Sequence, residues 1–203
     1  MRWIAIALLL LGICSPATAQ LDPQQIIDAA AGKSERMREL AALFQHPDPA
    51  VRFEAFNQMS ASDDPLERNL AFQSALNSTD VDLRSLAITK RLEEMNPLVV
   101  TIYRGESPAE RFVSHVIRGN DAGIVSTPQI SFDALRGTFV LSYADTPPSQ
   151  VIGDEVRLAI QLAVSLYPVC SGRLQLVDGV ALAGDLDCTE GYGSFPVRID
   201  LFH

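Results

Sequence analysis

Histidine and cysteine are scarce in this chain, three of each among 203 residues, and much chemistry is lost with them. The histidines stand at 46, 115 and 203, and no two have metal-ligand spacing, so no zinc site of the usual kind is expected. A CxxC redox pair is missing, and so is any glycine-rich phosphate loop. Gly105-Glu106-Ser107-Pro108-Ala109 half matches a nucleophile elbow. Pro108, however, removes the backbone N–H that would follow the serine in an oxyanion hole, so the stretch reads as a loop and helix cap. Bases are also few, 16 Lys and Arg against 25 Asp and Glu. That acidic balance, without a basic stripe or interleaved aromatics, is wrong for nucleic acid and for anionic membrane surfaces. No catalytic set, cofactor motif or metal site is expected.

Long apolar runs are absent too. The run Trp3 to Ile13 is too short to span a bilayer core, which takes about 20 helical residues. Arg2 precedes it and Ala17-Thr18-Ala19 follows it, the pattern of a signal peptide over residues 1–19, cleaved after Ala19. A lipid anchor on Cys14 would need a small residue before the cysteine, and Ile13 is bulky. The mature chain is therefore expected in the periplasm or outside the cell, with no membrane span and a net charge near −10 once Arg2 is removed from the total of −9. Cys170 and Cys188 remain, an even number in an oxidising compartment, and are expected to form one structural disulfide. A loop of that size would stabilise by roughly 3 kcal/mol on the chain-entropy model. Two unrelated buried thiols are the alternative.

What is present is repetition. DPAVRFEAF at 48–56, DPLERNLAF at 64–72 and DVDLRSLAI at 80–88 follow one another at sixteen-residue intervals. They align Asp48, Asp64 and Asp80, then Arg52, Arg68 and Arg84, then Ala55, Ala71 and Ala87, then Phe56, Phe72 and Ile88. Aspartate is a strong N-cap, since its carboxylate accepts from the free amides of a first turn. Pro49 and Pro65 follow at the first helical position, where a missing N–H costs nothing. The alanines keep the contact face thin, and the larger residue beside each fills the layer. At these residues the segment resembles HEAT-like repeats, in the short variety whose two-helix unit takes about thirty residues. The resemblance covers 48–95 well, with a degenerate upstream copy in which only Arg36 and Leu40 stay in phase. It implies a stacked Asp–Arg ladder with a structural role and, more loosely, a binding surface. The helical region is expected over 20–96.

Asn96-Pro97 closes that region, and 97–203 carries the grammar of a small β-rich domain, a sandwich or barrel. The expected class is α+β. LVVTIY at 98–103 is a strand candidate, and 108–119 a short helix. Ala134-Leu135-Arg136-Gly137-Thr138-Phe139 matches Ala181-Leu182-Ala183-Gly184-Asp185-Leu186, and Val156-Arg157-Leu158-Ala159-Ile160 matches Val197-Arg198-Ile199-Asp200-Leu201. Either a three-stranded meander is duplicated or alternating strands resemble one another by chance. The run 156–166 reads as strand or as buried helix.

Asp178, Asp185, Asp187 and Glu190 form the densest acidic cluster. A calcium site or carboxylate pair is one reading, but the D-x-D-x-D-G pattern is absent, and alternation puts Asp185 and Asp187 together on a solvated strand face. Tyr192 and Phe195, with Tyr167, are the aromatics near that loop. Glycines on both sides of Tyr192 would let it point outward, or it lies over the core edge. The expected function is a non-catalytic binding or interaction protein, a regulator or inhibitor of another exported protein. A carboxylate hydrolase using Asp185 and Asp187 or Glu106, and a glycan or cell-wall module using Tyr192, are the alternatives.

Overall fold

Aspartate and proline set where the helices begin. The computed structural model describes residues 22–105, 122–141, 146–161, 169–189 and 191–202. Four helices come first: α1 (Pro23–Leu43), α2 (Pro49–Ser60), α3 (Pro65–Leu76) and α4 (Val81–Glu94). Asp48 accepts from the Ala50 amide at 2.9 Å and Asp64 from the Leu66 amide at 2.9 Å. Asp80 accepts from the Asp82 and Leu83 amides at 3.1 and 3.2 Å. Helices as short as α2 to α4 are marginal alone and depend on packing. Ala55, Ala71, Ala87, Phe56, Phe72 and Ile88 are all buried, and Phe56 meets Phe72 edge-on at 5.4 Å between ring centroids. The chain divides into two units, residues 1–36 and 37–203. The described part of the first is exposed helix, supported locally where Gln24 Nε2 donates to Asp28 Oδ1 at 2.9 Å.

Nine strands follow: β1 (Leu98–Tyr103), β2 (Ala122–Thr127), β3 (Gln129–Asp133), β4 (Thr138–Leu141), β5 (Ser149–Ile152), β6 (Glu155–Gln161), β7 (Val169–Val177), β8 (Ala181–Cys188) and β9 (Gly193–Asp200). They make one antiparallel sheet in the order β2-β1-β9-β8-β7-β6-β5-β4-β3. The two edge strands are thus β2 and β3, neighbours in sequence joined only through Pro128. Such a short link requires the sheet to curl until its edges approach, giving a half-barrel with tilted strands. Alternation sends one row inward through Ile102, Val197, Leu174, Val156 and Val151, and the next through Phe195, Leu186, Leu158 and Phe139. At Gly172 and Gly184 the paired strands approach so closely that a Cβ would collide with the Asp185 and Arg173 carbonyl oxygens. Cys170 and Cys188 lie directly opposite on β7 and β8 and are joined by a disulfide.

The turns after β3, β5 and β7 and the end of β9 share one end of the sheet, and α4 runs across it. Gly153 lies against Val81 and Gly137 against Thr89. Gly179, with φ +62°, fits close to the Asn77 amide that ends α3, a position that tolerates neither a side chain nor an ordinary L residue. Arg84 pairs with Asp154 at 3.1 Å. Arg91 Nε donates to the Leu201 carbonyl, and its guanidinium lies over Phe72 at 5.0 Å and Phe202 at 5.4 Å. Gln129 Nε2 donates to the Leu92 and Met95 carbonyls at 2.5 and 2.9 Å, satisfying the open C-terminus of α4. One cluster of buried side chains takes in α2, α3, α4 and the inner face of the sheet.

LVVTIY forms β1 over the expected residues. Of the ambiguous run 156–166, residues 156–161 are strand, and the remainder lies outside the described residues, as do the signal segment and the helix expected at 108–119. Of the matched pairs in the supposed duplication, 156–160 in β6 and 197–200 in β9 are both strand, but the first pair takes different conformations. Ala134 to Gly137 form a turn, with Gly137 at φ +59°, whereas Ala181 to Gly184 lie within β8. The second copy can run straight because Asp178 and Gly179 have already made its turn.

Candidate interaction surface

The recurring arginines fold back on their own helix starts. Arg52 Nη1 donates to the His46 and Pro47 carbonyls at 2.8 and 3.2 Å. Arg68 Nη1 reaches the Ser62 carbonyl at 3.4 Å, and Arg84 Nη1 the Ser78 carbonyl at 2.6 Å. A further element of the repeat goes with them. His46 Nδ1, Ser62 Oγ and Ser78 Oγ, sixteen residues apart, each accept from the amide of the capping aspartate two positions on, at 3.1, 3.2 and 3.1 Å. The signal was there to read, a polar acceptor two residues before every Asp. Arg52 also pairs with Asp80 at 2.5 Å, skipping the intervening copy. These contacts line a cleft of about 390 Å³ bounded by His46, Arg52, Asn77 and Asp80. Its Arg52–Asp80 pair is internally matched, so the cleft has a structural explanation.

The hydrogen bond from Arg52 holds the Asp80 carboxyl below its ordinary value of 3.8, against a smaller opposing effect of burial. A carboxylate with a depressed folded value stabilises fully above its unfolded value, and that contribution is lost as pH falls through the folded one. Asp80→Asn keeps the N-cap and removes the ion pair. It should cost about 1 kcal/mol at neutral pH, a modest figure because the pair is partly exposed. The deficit should shrink as pH drops below 3.8, which urea titrations at neutral and acid pH will show.

Asp185 and Asp187 are both exposed on the outer face of β8, as alternation requires. Arg173 and Pro196 flank Asp185, and Ser171 and Ser194 flank Asp187, across the ladder. Among the described residues no three His, Cys, Asp or Glu side chains are grouped to hold a metal ion. Tyr192 does not point outward: it is 8% exposed and joins the core cluster, and Phe195 is completely buried. The glycines beside it, Gly191 and Gly193, at φ +74° and +93°, make a tight turn that folds the ring back over the barrel interior. Glu106, His115, Tyr167, Glu190 and His203 lie outside the described residues.

A different element carries the exposed apolar surface. Asp133 Oδ1 accepts from the Leu135 and Arg136 amides at 3.1 and 3.2 Å, and the Gly137 carbonyl accepts from Val151 at 2.8 Å. Both ends of the β3–β4 turn are therefore fixed. At its tip Leu135 is 100% exposed. Beside it is a cleft of about 270 Å³ between the turn and α4, lined by Asp82, Ser85, Leu86, Thr89 and Val151. Ile152, which follows Val151, and Val81, packed on Gly153, are exposed as well. Single exposed apolar residues are ordinary, and of these three Leu135 lines the cleft.

The structure defines an α+β protein in which, among the described residues, four helices accompany a nine-stranded curled sheet. Comparison with protein-family models, with curated proteins and with solved structures finds no match.

Proposed function

We propose that this is an exported, non-catalytic interaction protein, a regulator or inhibitor of another exported protein, and that α4 and the β3–β4 turn carry its contact. The supporting observation is Leu135. A leucine held wholly in solvent by a capped turn does nothing for its own fold, and the adjoining cleft offers a partner's apolar side chain a place to anchor. Export is supported by the disulfide and by the signal-like leader. No helix among the described residues is long and apolar enough to cross a membrane. We read α2 to α4 as HEAT-like units, on the sixteen-residue spacing and the Arg52–Asp80 rung, here serving as the scaffold that presents α4.

A photo-reactive residue placed at 135, and at Asp185 as control, tests this in cells exporting the chain. Position 135 should give one dominant adduct with another exported protein, which Asp185 does not. Leu135→Asp should weaken binding of that protein at least about tenfold, and its effect on stability should stay within about 0.5 kcal/mol, the usual range for a surface site. Equal adducts from both positions, or unchanged binding in Leu135→Asp, would count against the proposal.

A further inference from the structure

The sixteen-residue repeat changes its chemistry at one point. Each capping aspartate has its own amide held by a side chain two residues upstream, Asp64 by Ser62 Oγ at 3.2 Å and Asp80 by Ser78 Oγ at 3.1 Å. At Asp48 the acceptor is His46 Nδ1, at 3.1 Å. A hydroxyl oxygen accepts at any ordinary pH, but an imidazole nitrogen accepts only while it carries no proton. The bond therefore specifies a neutral ring with its hydrogen on Nε2. His46 is also the sole histidine among the described residues.

We propose that His46 makes the start of α2 a proton-sensitive latch, closed on the Asp48 amide when the ring is neutral and released when it is protonated. A proton on Nδ1 turns the acceptor into a donor facing another donor, so the ring must turn away. The backbone around it is held. Pro47 biases His46 toward extended backbone, and Pro49 sets the first position of α2. Arg52 Nη1 clamps the His46 and Pro47 carbonyls. Release is therefore a side-chain rotation on a standing turn. The ring is exposed and borders the cleft of about 390 Å³, so the rotation reshapes the rim of that cleft. The charged groups facing it are Asp48 on its own turn, Arg52 of α2 and Asp80 of α4, while the last turn of α1, Leu40 to Leu43, contributes none. Arg52 and Asp80 are already paired with each other, so the Asp48 amide decides the ring's position. Imidazole ordinarily changes charge between about pH 5 and 8, a range in which the serines of the other two copies do not respond.

Nuclear magnetic resonance on the purified full chain, between about pH 5.5 and 8, covers that range. At the upper end the His46 ring nitrogens should show the Nε2–H form. Protonation should move the Asp48 amide resonance and raise its exchange at least about threefold relative to Asp64, the scale of one ordinary hydrogen bond. The Asp64 and Asp80 amides, held by serines, remove the general effect of pH on exchange. His46→Ser, the residue of the other copies, should make the Asp48 amide insensitive to pH, and His46→Ala should leave it open throughout. A neutral ring with its hydrogen on Nδ1, an Asp48 amide that merely follows Asp64 and Asp80, or a response that persists in His46→Ser would overturn the proposal.

Discussion

Phe72→Ala should lower the unfolding free energy by about 3–5 kcal/mol, near the top of the range for single core truncations. The ring is fully buried. Its edge meets Phe56, and its face is covered by the Arg91 guanidinium. Deleting it therefore removes apolar burial, an aromatic pair and the support beneath a charged group together. Arg91 is the reason the effect should not stay within the helices. The same side chain donates to the Leu201 carbonyl and stacks on Phe202, so a looser Arg91 loosens the end of β9. Urea denaturation checks the magnitude. Phe72→Leu, which keeps most of the volume, should cost less than about 1.5 kcal/mol. In a chain of this size each kcal/mol also moves Tm by about 2–4 °C.

Replacing both Cys170 and Cys188 with alanine should cost about 2–4 kcal/mol. The bridge closes a loop of eighteen positions and joins residues already opposite in the β7–β8 ladder. Its stabilisation therefore comes mainly from restricting the unfolded chain, and little native structure should change without it. The double alanine variant is preferable to a single serine, since Cys170 is wholly buried and a lone hydroxyl there would add its own desolvation cost. The comparison is the urea midpoint of the two proteins, with far-ultraviolet circular dichroism confirming that the sheet persists. Alkylation of the purified, unreduced protein should find neither Cys170 nor Cys188 free.

The helix starts could be read directly because the information is local. A capping aspartate, followed by proline in two of the three copies, fixes a helix start within three residues, and sixteen-residue spacing repeats the statement three times. The pairing of Cys170 with Cys188 was equally accessible, since only two cysteines remain once the expected signal peptide is set aside. β1 was accessible through its β-branched letters. What could not be read depends on contacts distant in sequence. Nothing in Gln129 announces that it will close the C-terminus of α4, and nothing in Arg91 announces that it will stack between Phe72 and Phe202. Tyr192 was ambiguous because flanking glycines permit both an outward loop and an inward fold, and only the curl of the sheet decides. Leu135 was missed for the converse reason: its letters match ALAG, which gives no sign of a turn, and a turn at Asp133 depends on where β4 finds its partner.

The proposed contact surface exists only if α4 and the turns of the sheet form a single cooperative structure, since each supplies one wall of the cleft beside Leu135. Native-state hydrogen exchange measures this directly, because residues that open only by global unfolding share one free energy and one denaturant dependence. The amides of the buried α4 residues Leu83, Ala87, Ile88 and Leu92 should exchange with the same free energy as those at the centre of β7 and β8. An α4 that opens in a separate event, several kcal/mol easier than the sheet, would contradict the shared core and with it the jointly built surface.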